Sequence, residues 1–278
     1  MRVLRTRAEV QAWRAGARGP VAFVPTMGFL HEGHLTLLRE GRRRADGGAL
    51  VLSIFVNPTQ FGPREDLDRY PRDEAGDLAK AEGCGVDVAF CPADRRELYP
   101  YATHTWVDVE GLDRHLCGAA RPGHFRGVCT VVAKLWGLVR PDFGLFGEKD
   151  FQQLAIIKRM HAELNLVGEV VGMPIVREAD GLAMSSRNVN LKGDARRDAL
   201  AIPRYLSGVR ARFAGGVRDA ATLLGDAEKE LAPGRVDYAS LVDAEELQPV
   251  DVVERPALCA VAVFFNHVRL IDNCVLSP

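Results

Sequence analysis

Short apolar segments alternate with helix-like segments through the first two thirds of the chain. Buried strands are indicated by five apolar runs, at residues 21–24, 50–56, 86–91, 143–146 and 167–171. Apolar spacing and flanking cap residues predict the intervening helices over residues 33–44, 74–82, 128–139 and 151–164. Strands that alternate with helices form right-handed βαβ units around a parallel sheet. The first part of the chain is therefore predicted to be an α/β domain with a Rossmann-like parallel sheet.

The sequence pattern changes after Pro174. Residues 194–231 are rich in Ala, Arg and Leu and predict two helices, and residues 236–242, 258–265 and 268–272 predict strands. These elements indicate a smaller α+β domain. A length of 278 residues suits one large domain or two smaller ones, since one domain commonly has about 100–200 residues. We expect the first domain at residues 1–175 and the second at residues 176–278.

The charge balance excludes some classes of partner. The chain has 36 Lys and Arg residues against 37 Asp and Glu residues, a net charge of −1. Nucleic-acid-binding proteins and proteins that bind anionic membranes usually carry a basic excess, so neither partner is expected. An anionic small substrate needs only a few local cations and remains compatible with this composition.

The cysteines and the apolar segments give two further expectations. None of the six Cys residues forms a C-x-x-C pair, which disfavours a zinc site or a redox dithiol and favours reduced, mostly buried thiols. The charged N-terminus lacks the apolar segment of a secretory signal, and the longest apolar stretches are far shorter than a membrane span. We therefore expect a cytoplasmic protein.

The first segment with chemical character is residues 27–34, between a predicted strand and a predicted helix. It contains His31, Gly33 and His34 in an H-x-G-H pattern. Backbone N–H groups at a helix N-terminus favour an anion, and Gly33 would allow a phosphate to approach the backbone. Protonated imidazoles could donate to phosphoryl oxygens in a transition state. Alone, the pattern is equally compatible with two surface histidines on an ordinary turn.

Two later segments carry similar groups. Residues 146–153 follow a strand and open a helix, where Lys149 could bind a phosphate and Asp150 could bind ribose hydroxyls or cap the helix. Residues 177–188 include two Ser hydroxyls and Arg187 in a Gly-containing loop, which could form a flexible phosphate clamp. Each segment by itself is also compatible with an ordinary polar turn.

The order of these segments resembles a known family. An H-x-G-H motif after the first strand and a Met-Ser-Ser-Arg loop after the last resemble the nucleotidyltransferase superfamily, in which related motifs bind ATP. Within it, the chain resembles the pantothenate synthetase family over residues 21–190, and weakly at residues 269–273. The similar segments are residues 25–28 (Pro-Thr-Met-Gly), 55–61 (Phe-Val-Asn-Pro-Thr-Gln-Phe), 66–72 (Asp-Leu-Asp-Arg-Tyr-Pro-Arg), 121–128 (Arg-Pro-Gly-His-Phe-Arg-Gly-Val), 147–153 and 177–188.

The resemblance implies an ATP-dependent ligase that joins pantoate to β-alanine through a pantoyl-adenylate. Pantoate would be bound by Gln60 and Gln153, and Gln60 would also border β-alanine. His34 would be the proton donor, His31 its companion on the phosphates and Lys149 a phosphate ligand. The implied ATP-binding residues are Met27, Gly28, Phe29, Leu30, His31, Glu32, Gly33, His34, Gly147, Glu148, Lys149, Asp150, Val176 through its backbone, Met184, Ser185, Ser186 and Arg187.

The resemblance also implies partners and secondary candidates. Mg²⁺ would arrive with ATP and bridge its phosphates, with few protein ligands. The family suggests a homodimer and a C-terminal lid domain, and Arg121 and His124 are second-tier candidates. The sequence departs from the family pattern at Phe29, where a smaller residue or Tyr is expected, and at residues 61–65, without losing a chemical group.

Two alternatives remain at this stage. One is an adenylyltransferase of the same superfamily that acts on a phosphate-ester acceptor, but Gln60 stands where such an acceptor would call for a cation. The other is a non-catalytic RNA-binding module, which would require a basic face that the net charge of −1 does not support.

Overall fold

The computed structural model describes residues 1–63, 65 and 67–278. Arg64 and Asp66, which belong to two of the segments named above, lie outside the described residues. The chain divides into two compact units. The first comprises Met1–Val109, Pro122–Glu148 and Ile156–Pro174, and the second comprises Glu110–Arg121, Lys149–Ala155 and Ile175–Pro278. The predicted domain boundary after residue 175 stays a prediction, because packing units need not fold independently.

The first unit is built on a six-stranded parallel sheet. Its strands are β1 (Arg2–Leu4), β2 (Val21–Thr26), β3 (Ala49–Ile54), β4 (Val88–Phe90), β5 (Phe143–Gly147) and β6 (Glu169–Met173). The order across the sheet is β1-β4-β3-β2-β5-β6, and every neighbouring pair is parallel. The predicted α/β class and parallel sheet are confirmed. Residues Val21 to Val24 are fully buried, as expected for a strand covered on both faces.

The helices that belong wholly or partly to this unit are α1 (Arg7–Gly16), α2 (Glu32–Ala45), α3 (Glu74–Gly83), α5 (His124–Val139) and α6 (Phe151–Glu163), whose first residues belong to the second unit. Helix α2 packs so closely on the sheet that a Cβ on Gly41 would lie 2.7 Å from Leu50 Cδ1. Leu38 of the same helix is fully buried. Burial of one such side chain stabilises the fold by roughly 1.5–3 kcal/mol.

Several predicted element bounds in this unit were wrong. Helix α5 begins at His124 rather than at residue 128, and β6 lies two residues later than predicted. Strand β1 and helix α1 were not predicted at all. The signal for α1 was present, since Thr6 and Glu9 form a capping box at its N-terminus.

The second unit contains a three-stranded antiparallel sheet. Its strands β7 (Arg235–Asp243), β8 (Ala257–Phe265) and β9 (Val268–Leu276) lie in the order β7-β8-β9. The accompanying helices are α4 (Leu116–Ala120), α7 (Asp194–Asp198), α8 (Ala201–Ala214), α9 (Ala220–Leu224) and α10 (Ala227–Glu230). The prediction of two helices over residues 194–231 was therefore wrong. Glycines and the N-caps Asp219 and Asp226 divide this Ala-rich stretch into shorter helices.

Two general expectations can be compared with this structure. All six Cys residues are free thiols, and every one except the half-buried Cys84 is buried, which confirms the prediction of mostly buried thiols. Within residues 1–63, 65 and 67–278, none of the helices is both long and apolar enough to span a membrane.

Candidate functional site

The candidate site begins where the strand order of the first unit reverses. From β2 the chain continues through α2 to β3 on one side, and β5 pairs with the other side of β2. Open α/β sheets bind ligands outside the carboxyl ends of their strands at such a switch point. Met27 follows β2, and Glu148 follows β5. Two of the predicted ATP-binding segments therefore start at this edge of the sheet.

The loop after β2 has an unusual backbone. Gly28 and Phe29 both have positive φ, at 82° and 52°. Glycine adopts this left-handed conformation readily, but a residue with a side chain is strained there. The departure from the family pattern at Phe29 thus occurs where the backbone itself is constrained.

Helix α3 holds this loop through two side chains. Asp77 is 1% exposed, and its Oδ2 accepts the Phe29 N–H at 2.7 Å while its Oδ1 accepts the Leu30 N–H at 2.6 Å. Lys80 Nζ donates to the Leu30 carbonyl at 2.8 Å. Neither Asp77 nor Lys80 was among the predicted site residues, since in the sequence they are ordinary charged residues of an amphipathic helix.

His31 and His34 are held by the start of α2. His31 is the N-cap, and its Nδ1 accepts the Gly33 N–H at 3.2 Å. His34 Nδ1 in turn accepts the His31 N–H at 3.3 Å, and the ring centroids lie 4.1 Å apart. Because Nδ1 is an acceptor in both rings, the neutral rings carry their proton on Nε2. The helix begins at Glu32, one residue before the predicted start at residue 33, and His31 supplies its cap.

The Glu32 side chain, which was predicted to lie at the ATP site, pairs with another residue of its own helix. Its carboxylate forms an ion pair with Arg39 on the same helix. The hydrogen bond from Arg39 lowers the pKa of Glu32, so the carboxylate stays ionised. A role for Glu32 at a nucleotide would therefore rest on its backbone at the helix N-terminus rather than on its side chain.

Gln60 ends a 3₁₀ turn, Pro58–Gln60, that follows β3. Its side chain has a defined orientation: Oε1 accepts from Asn57 Nδ2 at 3.0 Å, and Nε2 lies 3.3 Å from Met27 Sδ. His124 Nδ1 lies 2.8 Å from the Gln60 carbonyl oxygen. The residue is 9% exposed. The amide therefore presents its NH₂ group, as a donor, on the side of the loop after β2.

Asn57 is the centre of the network that orients Gln60. It is 1% exposed, and its Nδ2 also donates to the Gly127 carbonyl at 3.1 Å. Its Oδ1 accepts from the hydroxyls of Tyr99 and Thr59, both at 2.9 Å. Burial raises the pKa of Tyr99, which keeps its hydroxyl a donor. Asn57 and Thr59 were noted as part of a similar segment, but their supporting role was missed.

In the second unit, Lys149, Asp150 and Gln153 come from one short segment. The Lys149 side chain is 19% exposed, and its Nζ lies 3.4 Å from Asp150 Oδ2. The Lys149 carbonyl accepts from Asn273 Nδ2 at 3.0 Å. Asp150 belongs to the 3₁₀ turn Glu148–Asp150 directly before α6. The weak resemblance at residues 269–273 thus includes a residue, Asn273, that supports the Lys149 backbone.

The two glutamines of this segment differ in their surroundings. Gln152 is buried, and its Nε2 donates to the carbonyls of Leu112 and His115 at 2.8 and 2.9 Å. Gln153, the predicted pantoate ligand, is only partly buried. The two neighbouring glutamines therefore differ in exposure, since Gln152 is buried and Gln153 is partly exposed. Arg121, a second-tier candidate, directly follows α4 in this unit.

The Met-Ser-Ser-Arg loop belongs to a hairpin in the second unit. Arg177 and Ala183 form an antiparallel bridge, and the Met184 N–H donates to the Val176 carbonyl at 3.0 Å. Ser185 caps the 3₁₀ turn Ser186–Asn190, since its Oγ accepts the Arg187 N–H at 3.2 Å.

Side chains anchor the base of this hairpin. Arg177 donates two hydrogen bonds to the carboxylate of Asp272, at 2.7 and 3.0 Å. Asn188 Nδ2 donates to Glu178 at 2.8 Å, and Arg196 bridges Glu178 and Asp180 at 2.7 Å to each. The flexible clamp predicted for residues 177–188 is thus, at its base, a hairpin with several side-chain anchors.

The structure groups the predicted residues within each unit. In the first unit, residues 27–34, Gln60 and Glu148 follow the ends of neighbouring strands, and Gly147 is the last residue of β5. In the second, Val176 and residues 184–187 share the hairpin, and Lys149, Asp150 and Gln153 share the segment before and within α6. Among the described residues, no three His, Cys, Asp or Glu side chains come together as a metal site.

A family model for pantoate–beta-alanine ligases matches residues 2–275 of the chain. The chain belongs to the pantoate–beta-alanine ligase family. It is 53% identical to the pantothenate synthetase of Myxococcus xanthus, over 99% of this chain and 96% of that protein. It is 52% identical to that of Geobacter sulfurreducens, over 100% of this chain and 99% of that protein.

Solved structures of this family share the fold. Pantothenate synthetase from Thermus thermophilus is 46% identical, with a TM-score of 0.93 and full coverage of both chains. The ligase from Francisella tularensis, complexed with beta-gamma ATP and beta-alanine, is 28% identical, with a TM-score of 0.82 over 99% of this chain and 97% of that one. The predicted family is confirmed, and the chain is a pantoate–β-alanine ligase. The alternative of an adenylyltransferase acting on a phosphate ester is not favoured.

Proposed function

We propose that the chain condenses (R)-pantoate with β-alanine in two steps, through a pantoyl-adenylate. In the first step, a pantoate carboxylate oxygen attacks the α-phosphorus of ATP and pyrophosphate leaves. In the second, the amine of β-alanine attacks the acyl carbon, loses a proton and displaces AMP. Activation is needed because a free carboxylate offers an amine only oxide as a leaving group. The Francisella tularensis relative, complexed with beta-gamma ATP and beta-alanine, supports ATP and β-alanine as substrates here.

The pair of histidines at the sheet switch point is the observation that carries this proposal. His31 and His34 each use Nδ1 as an acceptor at the N-terminus of α2, which fixes the ring orientations. Their Nε2–H groups can then donate to phosphate oxygens, alongside the helix N-terminus and the backbone of residues 27–33. His34 acts as the proton donor, and His31 binds the phosphate oxygens beside it. The step needs no covalent enzyme intermediate.

The remaining nucleotide contacts come from Gly147 and Glu148 of the first unit and from residues of the second unit. Lys149 supplies a cation for the phosphates, within the segment from Gly147 to Asp150. The Val176 carbonyl already accepts from Met184, so Val176 would meet adenine through its N–H or through the second lone pair of that carbonyl. Arg187, together with Met184, Ser185 and Ser186, stabilises pyrophosphate as it leaves.

Two amides hold pantoate. Gln60 presents its NH₂ group because Asn57 occupies its oxygen, so Gln60 acts as a donor to the pantoate carboxylate or hydroxyl and borders β-alanine. Gln153 is partly exposed, whereas the neighbouring Gln152 is buried and donates from Nε2 to two backbone carbonyls, which supports Gln153 as the second amide. Neutral amides suit a hydroxy acid because they can serve both its hydroxyls and its carboxylate.

Mg²⁺, the assembly and the location complete the proposal. Mg²⁺ would enter with ATP and be held by its phosphates, with few protein ligands. Mg²⁺ there would neutralise phosphate charge. We further propose a cytoplasmic homodimer, with a nucleotide domain at residues 1–175 and a second domain at residues 176–278.

Isotope transfer tests the intermediate. Pantoate labelled with ¹⁸O in its carboxylate should pass one labelled oxygen to AMP. Pantoate-dependent exchange of pyrophosphate into ATP should proceed without β-alanine, and should stop when pantoate is omitted. Labelled inorganic phosphate with ADP as co-product would instead indicate an acyl phosphate, and would overturn the two-step adenylate mechanism.

A further inference from the structure

Phe29 is strained and yet lies directly before the histidine pair. Its φ of 52° follows the φ of 82° at Gly28, so two consecutive residues adopt the left-handed region. For a residue with a side chain this conformation persists only where the surroundings stabilise it. The direction in which the chain enters α2, and thus the position of His31 as its N-cap, depends on this turn.

The surroundings that stabilise the turn converge on one carboxylate. Asp77 is 1% exposed and accepts the consecutive N–H groups of Phe29 and Leu30, one on each oxygen. Hydrogen bonds to an ionised acceptor are about twice as strong as neutral ones. The contact also restricts Gly28, because a Cβ there would lie 2.9 Å from Asp77 Oδ2. Lys80, one turn later on α3, holds the Leu30 carbonyl.

Helix α3 does not need Asp77 in order to begin. Its N-cap is Asp73, whose Oδ1 accepts the Gly76 N–H at 3.0 Å. The bonds of Asp77 go instead to the loop after β2, 47 and 48 residues away in sequence. Asp73 and Asp77 therefore have separate tasks, one for the helix and one for the loop.

We propose that Asp77 is a positioning residue for the adenylation step. By holding Phe29 in the left-handed conformation, it sets the backbone of residues 27–30 and the placement of His31 and His34 against the ATP phosphates. This inference rests on the proposed function, because it assigns Asp77 to the first of its two steps. Asp77 does not touch the reacting atoms.

The test compares Asp77→Asn with Asp73→Asn. Asparagine keeps the shape of Asp77 but places an NH₂ group against one of the two loop N–H donors, so one bond is replaced by an unfavourable contact. Pantoate-dependent pyrophosphate exchange should fall about 10- to 100-fold, the scale of one or two charge-assisted hydrogen bonds. Reaction of supplied pantoyl-adenylate with β-alanine should change by less than about threefold. Asp73→Asn should leave both rates near those of the unmodified protein.

A second substitution separates positioning from a general structural role. Phe29→Gly removes the backbone strain, since glycine adopts positive φ without penalty. Adding Asp77→Asn to Phe29→Gly should therefore reduce exchange less than adding it to the unmodified chain. If Asp77→Asn does not fold, Gly28→Ala disturbs the same contact from the loop side while α3 stays intact. It must then impair exchange more than the second step.

The outcomes are distinct. Equal losses in both half-reactions, strictly multiplicative effects of Phe29→Gly and Asp77→Asn, or an Asp77→Asn variant with normal exchange would overturn the positioning role. If the unmodified protein itself shows no pantoate-dependent exchange, the proposed adenylate mechanism fails first, and that failure is separate from the assignment of Asp77.

Discussion

The two loops proposed to bind the ATP phosphates are held in different ways. The loop of residues 27–30 in the first unit is fixed through its backbone by two neighbouring side chains of α3, the buried carboxylate of Asp77 and Lys80 Nζ. The hairpin of residues 177–188 in the second unit is fixed through side chains, by ion pairs of Arg177 and Arg196 and by a hydrogen bond that Asn188 Nδ2 donates to Glu178. Support is concentrated in the first loop and distributed in the second.

This difference determines how each loop should respond to substitution. Function should be sensitive to a change in the buried Asp77 carboxylate, because the buried N–H groups of the loop would then lose their acceptor. Several partly exposed ion pairs divide the stabilisation among them, and each contributes little. Substitutions at the first loop should therefore change the chemistry, and most substitutions at the hairpin should change stability by small amounts.

The largest expected effect is at His34. His34→Ala should lower adenylation at least about 10²-fold, the usual scale for a positioned acid or electrostatic stabiliser. His34→Asn provides a control, because its Oδ1 can still accept the His31 N–H but it lacks the Nε2–H. We expect the Asn variant to recover the melting temperature without recovering pyrophosphate exchange. A folded His34→Ala variant with full activity would show that the histidine pair does not carry the chemistry.

Among the hairpin anchors discussed, Arg177 should be as sensitive to substitution as the buried support of the first loop. Its partner Asp272 has a side chain only 1% exposed, so Arg177→Ala leaves a buried carboxylate without its main cation. Because Arg177 itself is 26% exposed and water can enter, we expect a loss of about 2 kcal/mol in the free energy of unfolding. Denaturant titration measures this loss. A loss as small as that of Arg196→Ala would break the distinction between buried and exposed anchors.

The two glutamines proposed to bind pantoate extend this comparison of the two units to the substrate. Gln60 is oriented by a buried network in the first unit, and Gln153 is a partly buried residue of α6. Each change to Ala should raise the KM for pantoate about tenfold, the value of one hydrogen bond in the bound state, with the KM for ATP nearly unchanged. Gln152→Ala is the matched control and should lower stability while leaving both KM values alone. Equal increases for ATP and pantoate would mean that the amides support the fold or bind the nucleotide.

The sequence predicted the parallel sheet because buried strands are continuous apolar runs, such as residues 21–24 and 143–146. It also predicted the family, because the motif residues, such as His31 and His34, lie close together in the chain. It could not reveal Asp77, since a carboxylate 47 residues from Leu30 resembles any surface charge until the fold buries it. The number of helices after residue 194 was predicted wrongly, because the Ala-rich, helix-favouring composition continues across the breaks between them. Those breaks are marked only by caps such as Asp219.

The smallest expected effect is at Arg196, and it should depend on pH. Burial alone would raise the pKa of Asp180, but hydrogen bonds from Arg196 and from the Leu182 N–H outweigh it and hold the pKa below its usual value. A lowered folded pKa means that the pair stabilises the fold above the ordinary pKa of a free Asp, near 3.9, and that this contribution disappears as the pH falls through the folded value. At neutral pH, Arg196→Ala should reduce the free energy of unfolding by about 0.5–1 kcal/mol, and less at high salt. Arg197→Ala, whose partner Asp194 is 80% exposed, is the control and should have almost no effect. Below about pH 4, the Arg196→Ala variant and the unmodified protein should converge. A difference that persists undiminished in acid would show that Arg196 stabilises the hairpin through packing rather than through charge.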